Sequence, residues 1–278
     1  MTKVVLISSF LLMGFLAKAQ EFQGKAEYFS KRIMKKKTEK IEVQKNEPLD
    51  PELQKEIEIA IKKATEKQYV LTFNKTECLY EEEQKLEEPK PSNGTSFSIT
   101  FSGGGKKYLN TKDKNSIVED EIFGKEFLIV EPLVQPEWKL IDETKKIGDY
   151  NCFKAELVIP VSEKQKKEYE EILKKEEKKP ALFKMERPED KVITAWYTPE
   201  IPVNFGPDNY WGLPGLILEV SEEKLIILCS KVVLSNKEKT KIKAPNTGEK
   251  VSQKKFDEIQ KKKTDSMKDE DGVIMFQH

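Results

Sequence analysis

Histidine is almost absent from this 278-residue chain, where His278 is the single one. That scarcity nearly excludes Ser-His or Cys-His nucleophilic catalysis and any histidine-based metal centre. Cysteine is scarce too, and Cys78, Cys152 and Cys229 lack the C-x-x-C spacing of a redox or zinc motif. In an oxidising compartment one pair among Cys78, Cys152 and Cys229 can close and leave one thiol over. Spacing does not choose among the three pairings, and three buried, inert thiols are the competing expectation. There is no excess charge of either sign, with 49 basic against 49 acidic side chains, which gives nucleic-acid binding no support. No phosphate-loop order is present, since "SGGGKK" at 102–107 reads as a flexible hairpin connection. No internal repeat of fixed period is visible, and no metal, cofactor or catalytic residue is expected.

Long apolar runs are also missing. The longest, "VVLISSFLLMGFLA" at residues 4–17, falls short of the roughly 20 residues of a membrane helix. It follows Lys3 and precedes "AKA" and Gln20, the layout of a secretory signal peptide over residues 1–19. The expectation is an exported mature chain beginning at Gln20, periplasmic or extracellular, with no transmembrane segment. The first cysteine is Cys78, so no lipoprotein anchor is expected.

What the chain does have is strand periodicity. Tyr69, Leu71 and Phe73, then Phe97, Ile99 and Phe101, then Phe153, Ala155, Leu157 and Ile159 alternate with polar residues. "QGKAEYFSKRIM", "EFLIVE", "KVITAWYT", "GLILEV" and "KLIILCSKVVL" add further strand-like runs. The pattern predicts a mainly β fold, an antiparallel curved sheet or half-barrel. One helix should pack on it, because Asp50 and Pro51 open a segment with Leu53, Ile57, Ile61 and Ala64 at helical spacing. The expected domain spans 20–244, with a charged insertion at 162–190 whose first part, 162–179, reads as a solvated helix burying only Tyr169, Ile172 and Leu173. Residues 245–278 should form a helical tail, capped by Ser252 and touching the body through Phe256, Ile259 and Met267.

Residues 193–220, "ITAWYTPEIPVNFGPDNYWGLPGLILEV", hold five aromatics, four prolines and three glycines. Proline restricts itself and the residue before it, so the linker between the flanking strands is stiff. Pro214 and Gly215 suggest a type II turn over Leu213–Leu216, with Gly215 at positive φ. Trp196, Tyr197, Phe205, Tyr210, Trp211, Gly212, Leu213, Pro214 and Gly215 are therefore the candidate site, either a structural plug or the wall of a ligand pocket, with the plug weighted more.

"GLPGLIL", preceded by "AWYTPEIPVNFGP" and "KKIGDYNCFKAELV", resembles the GLPGLI family of secreted proteins from Bacteroidota-type bacteria. The resemblance implies a β-rich envelope or secreted protein with no catalytic residues to carry over. The charged insertion and the helix at 51–66 depart from shorter members. Asp265-Ser266-Met267 matches the short O-glycosylation pattern of such bacteria, making Ser266 a candidate acceptor. The expected function is a non-enzymatic envelope protein binding a hydrophobic ligand or lipid-bearing partner in the concavity of its sheet, with the aromatic loop at the rim. The alternative is a protein-interaction module at the outer membrane or cell surface. A hydrolase built on Glu200, Asp208 and Glu219 has next to no signal in so acidic a chain.

Overall fold

The computed structural model describes residues 22–33, 51–83, 105–176, 187–235 and 242–267. The leader at 1–19 and the expected strand of Phe97, Ile99 and Phe101 lie outside these described residues, as do the side chains of Leu53 and Ile172. The strands are β1 (Gln23–Arg32), β2 (Glu66–Phe73), β3 (Glu77–Glu82), β4 (Lys107–Asn110), β5 (Asn115–Ile122), β6 (Lys125–Pro132), β7 (Lys139–Ile147), β8 (Tyr150–Ile159), β9 (Lys191–Thr198), β10 (Leu216–Glu222), β11 (Leu225–Ser235) and β12 (Glu249–Val251). The helices are α1 (Pro51–Thr65), α2 (Glu163–Glu176) and α3 (Gln253–Ser266).

All described strands join one sheet in the order β12-β6-β5-β4-β3-β2-β1-β11-β10-β9-β8-β7. Every pairing is antiparallel except β12 with β6. The sheet is curved and open, as the alternation of its strands predicts. Its topology demands that curvature. Ten inter-strand steps separate β6 from β7, about 48 Å across a flat sheet. Only residues 133–138 connect them, a reach of about 25 Å when fully extended.

The core follows from the curl. One cluster joins Ala26, Tyr28, Leu71, Phe73, Cys78, Tyr80 and Leu109 to Cys152, Leu218 and Ile227, although β4 and β8 stand seven places apart. A second holds Ala155, Ile193, Ala195, Tyr197, Leu213, Ile217 and Val220. A third forms where α3 lays Phe256 and Ile259 against Ile122, Phe127 and Ile129. Phe127 and Phe256 meet edge-on at 5.6 Å.

The helices follow their sequence signals closely. Ser252 caps α3 by accepting from the Lys255 N–H at 3.3 Å. The tail is tied in further, because β12 adds a short strand to the sheet before α3 begins. α1 buries Ala60 and Ala64 and leaves Ile57 and Ile61 half-buried. It contributes nothing to the main clusters among the described residues. α2 is exposed along its described side chains, with Leu173 left 40% exposed and Tyr169 half-buried.

Candidate functional site

The space inside the curl is taken by the stretch between β9 and β10, residues 199–215. Ile201, Val203, Phe205 and Trp211 are buried in the larger cluster, and Leu213 in the second. This strap therefore stitches the two together. Its backbone bonds directly to the start of β10, where Leu216 N–H donates to Ile201 O at 3.0 Å and Ile217 N–H to Phe205 O at 3.0 Å. Phe205 and Trp211 form a short antiparallel bridge, and Gly212 N–H donates to Asn204 O at 2.8 Å.

Proline sets the shape of the strap. Val203 N–H donates to Ile201 O at 2.8 Å across Pro202, and Gly215 N–H to Leu213 O at 2.9 Å across Pro214. Each is a three-residue turn, whose central φ is near the value that a proline ring imposes. The type II turn expected at Leu213–Leu216 is thus not formed, and Gly215 does not have positive φ. The left-handed glycine is Gly212, at φ 93°. Gly215 is required for another reason: a Cβ there would lie 2.2 Å from the Thr198 carbonyl oxygen.

Polar groups fasten the outside of the strap. Asp208, at φ 57°, pairs with Lys107 of β4. The Tyr210 hydroxyl donates to Glu222, whose other oxygen is 2.5 Å from the Lys191 ammonium. Burial and then this carboxylate push the Tyr210 pKa far up. The indole N–H of Trp138, just before β7, donates to Trp211 O at 2.8 Å, and its ring meets Tyr210 edge-on at 6.4 Å. The β6–β7 connection so crosses over the strap at Gly212, where Pro136 and Trp138 approach.

Among the candidate residues, Phe205 and Leu213 are fully buried, Tyr197 and Trp211 nearly so, and Trp196 and Tyr210 half-buried. Trp196 is held differently from the others, with the Lys145 ammonium 4.3 Å from its ring and Lys145 bonded to Glu219 at 2.7 Å. Glu200 accepts from the Asn151 N–H at 2.9 Å. Glu200, Asp208 and Glu219 therefore each hold a structural partner and do not converge on one point. Trp138, Lys107 and Glu222 belong to this arrangement without any local motif to mark them; the aromatic ring in "QPEWK" was the one available signal.

The three cysteines are free thiols. Burial raises all three, Cys152 to about 11 and Cys229 to about 12, so thiolate chemistry at neutral pH is suppressed. Among the described residues no three His, Cys, Asp or Glu side chains gather to hold a metal. No described helix is long and apolar enough to cross a membrane. Ser266 closes α3 and is exposed, its hydroxyl donating to Lys263 O at 2.7 Å.

The strap does not cover everything on its side of the sheet. Leu140, Ala155, Ala195 and Val220 are paired in a row across β7, β8, β9 and β10, and directly paired residues share a face. Ala155, Ala195 and Val220 are fully buried, whereas Leu140 is 59% exposed. In the next row Tyr197 is buried and its partner Phe153 is 40% exposed. Ile159, on the same face of β8, is also exposed. Apolar surface thus continues past the limit of the strap, marked by Trp138 and Tyr210.

No curated protein matches the chain. Two solved structures resemble it with a TM-score of 0.47, both of PNGF-II, in C2 and P21 space groups. Identity is 14% and 15% over 87% of this chain, which spans 33% and 34% of those chains, about a third of their length. A family model described as a protein of unknown function (Porph_ging) matches residues 138–219, the segment from Trp138 through the strap to Glu219 of β10.

Proposed function

We propose that this chain is an exported, non-enzymatic protein of the cell envelope that binds a hydrophobic ligand or lipid-bearing partner at the uncovered apolar margin of β7 and β8. It is periplasmic or extracellular and belongs with the GLPGLI proteins, whose heptapeptide lies inside the matched segment. The interior expected to hold the ligand is occupied by strap side chains, so the site moves outward to Leu140, Phe153 and Ile159. The observation that carries this reading is the row Leu140–Ala155–Ala195–Val220, buried at three positions and exposed at the fourth. Exposed apolar residues contiguous with a core mark a surface that something else covers.

The test is binding of a fluorescent fatty-acyl probe to the parent, Leu140→Glu and Phe153→Glu proteins. Leu140 is 59% exposed, so the fold should tolerate Leu140→Glu within about 0.5 kcal/mol, and Phe153, whose ring lies 6.1 Å from that of Tyr197, is the more costly of the two changes. A tenfold or greater loss of binding at unchanged melting temperature supports the site. A parent that binds no acyl probe, and yields no lipid on organic extraction and mass spectrometry, overturns it.

The exposed, charge-rich α2 favours a second reading, a protein-interaction module. Deleting residues 162–179 should then abolish cross-linking to a partner in cells while leaving the sheet intact; unchanged cross-linking removes it.

A further inference from the structure

The β5–β6 hairpin is locally unfavourable in three ways at once. Ile122 pairs with Lys125, so Phe123 and Gly124 alone make the turn, at φ 49° and 81°. That is the two-residue hairpin turn for which asparagine, aspartate or glycine is suited at the first position, whereas a bulky residue there is strained. Phe123 is 55% exposed, so burial does not offset the strain. Directly behind it Glu121 faces Glu126 across the two strands, a like-charge pair in register.

The surrounding charges do not cancel. Glu119 and Asp120 add to the acidic end of the hairpin, Asp120 accepting from the Glu121 N–H and Glu121 from the Gly124 N–H, each at 2.8 Å. Lys125 is turned away to Glu249 at 2.5 Å and to the ring of Phe127 at 5.0 Å. The tip therefore presents one apolar ring in an acidic collar. Violations of local preference that the fold itself does not use are characteristic of functional positions.

We propose that this hairpin is a docking prong that inserts Phe123 into an apolar socket of a protein partner whose rim is lysine- or arginine-rich. An aromatic anchor with a complementary charged rim is the usual anatomy of such a contact. The acidic collar opposes an anionic lipid surface, which makes protein the occupant. The prong stands at the far side of the sheet order from Leu140 of β7, so it fails or succeeds independently of the lipid-binding margin.

The experiment places a photo-reactive benzoylphenylalanine at position 123 of the full chain in the cells that make it, with the exposed Lys112 position as control. The cross-linked protein is then purified and its affinity measured against the parent, Phe123→Asn and Glu126→Lys chains over a range of salt. The proposal expects a position-123 adduct with a basic-rimmed protein, at least tenfold weaker binding for Phe123→Asn, and weaker, less salt-dependent binding for Glu126→Lys. It also expects Phe123→Asn to melt higher than the parent, because asparagine suits the turn. No adduct above the Lys112 control, an adduct with lipid, an affinity untouched by Phe123→Asn, or a Phe123→Asn chain that melts no higher would each overturn it.

Discussion

The backbone at Gly215 runs so close to Thr198 that a Cβ on it would lie 2.2 Å from the Thr198 carbonyl oxygen and 2.8 Å from the Pro199 nitrogen. This contact lets the end of the strap fold back on the end of β9. Both obstructing groups are backbone, so neither can rotate away.

Gly215→Ala should therefore be almost as damaging as Gly215→Val, each costing about 3 kcal/mol, the upper end of overpacking penalties. Were the glycine needed for its φ alone, alanine would be the milder change. Urea denaturation of the two variants decides it: a Gly215→Ala protein within about 0.5 kcal/mol of the parent would remove the close-approach argument.

Two tryptophans separate packing from hydrogen bonding in the strap. Trp211 is 9% exposed, and truncation to alanine should cost about 3–5 kcal/mol. Trp138→Phe keeps most of the ring contact with Tyr210 but loses the 2.8 Å bond to Trp211 O, at about 1 kcal/mol. Thermal and urea unfolding check both. A Trp211→Ala chain as stable as the parent would turn the strap from a plug into a surface loop.

How much of this was readable beforehand depends on where the information sits. The strands of Tyr69–Phe73 and Phe153–Ile159 announce themselves because one face of each is apolar, β10 because its run of apolar residues is buried on both faces, and Ser252 announces α3 because capping is local. β7, "KLIDETKKI", is mostly exposed and charged, so no alternation marks it. It is a strand because β8 pairs with it. At the strap, proline and glycine content signalled turns, but the turn type did not follow. The approach of Gly215 to Thr198 and the crossing of Trp138 over Trp211 depend on how the sheet curls, which no short stretch encodes.

The thiols offer a chemical check on the same packing. Cys78 and Cys152 are buried, and burial raises the Cys152 thiol to about 11. At pH 8 the thiolate fraction of Cys152 is then of order one in a thousand. Iodoacetamide should label the native protein slowly and all three cysteines quickly in denaturant without reductant. A single labelled cysteine in denaturant would mean that the other two are joined, and that Cys78, Cys152 and Cys229 are arranged differently in solution.

Alkaline pH should unfold the protein unusually early. Tyr28 is fully buried, its hydroxyl donating to Ile217 O at 2.7 Å, and it lies edge-on to Tyr80, which stacks on Tyr69 at 4.8 Å. Burial raises all three phenols, Tyr69 to about 12 and Tyr28 and Tyr80 well above the ordinary phenol range. A phenol with a raised folded pKa keeps its proton when the unfolded chain, titrating near 10, has released it. Above that pH the unfolded state binds fewer protons, so stability falls as pH rises. Below about pH 10 the contribution is intact; above it each of the three loses it progressively, and for Tyr69 the loss is complete near 12. Each such tyrosine adds a slope of about 1.4 kcal/mol per pH unit while only the unfolded state titrates. Tyr28→Phe removes one titration and the bond to Ile217 O together. It should cost about 1 kcal/mol at pH 7 and make the decline above pH 10 shallower. Unfolding midpoints in urea from pH 8 to 11 measure both, and a parent whose stability is flat across that range would contradict the burial of this cluster.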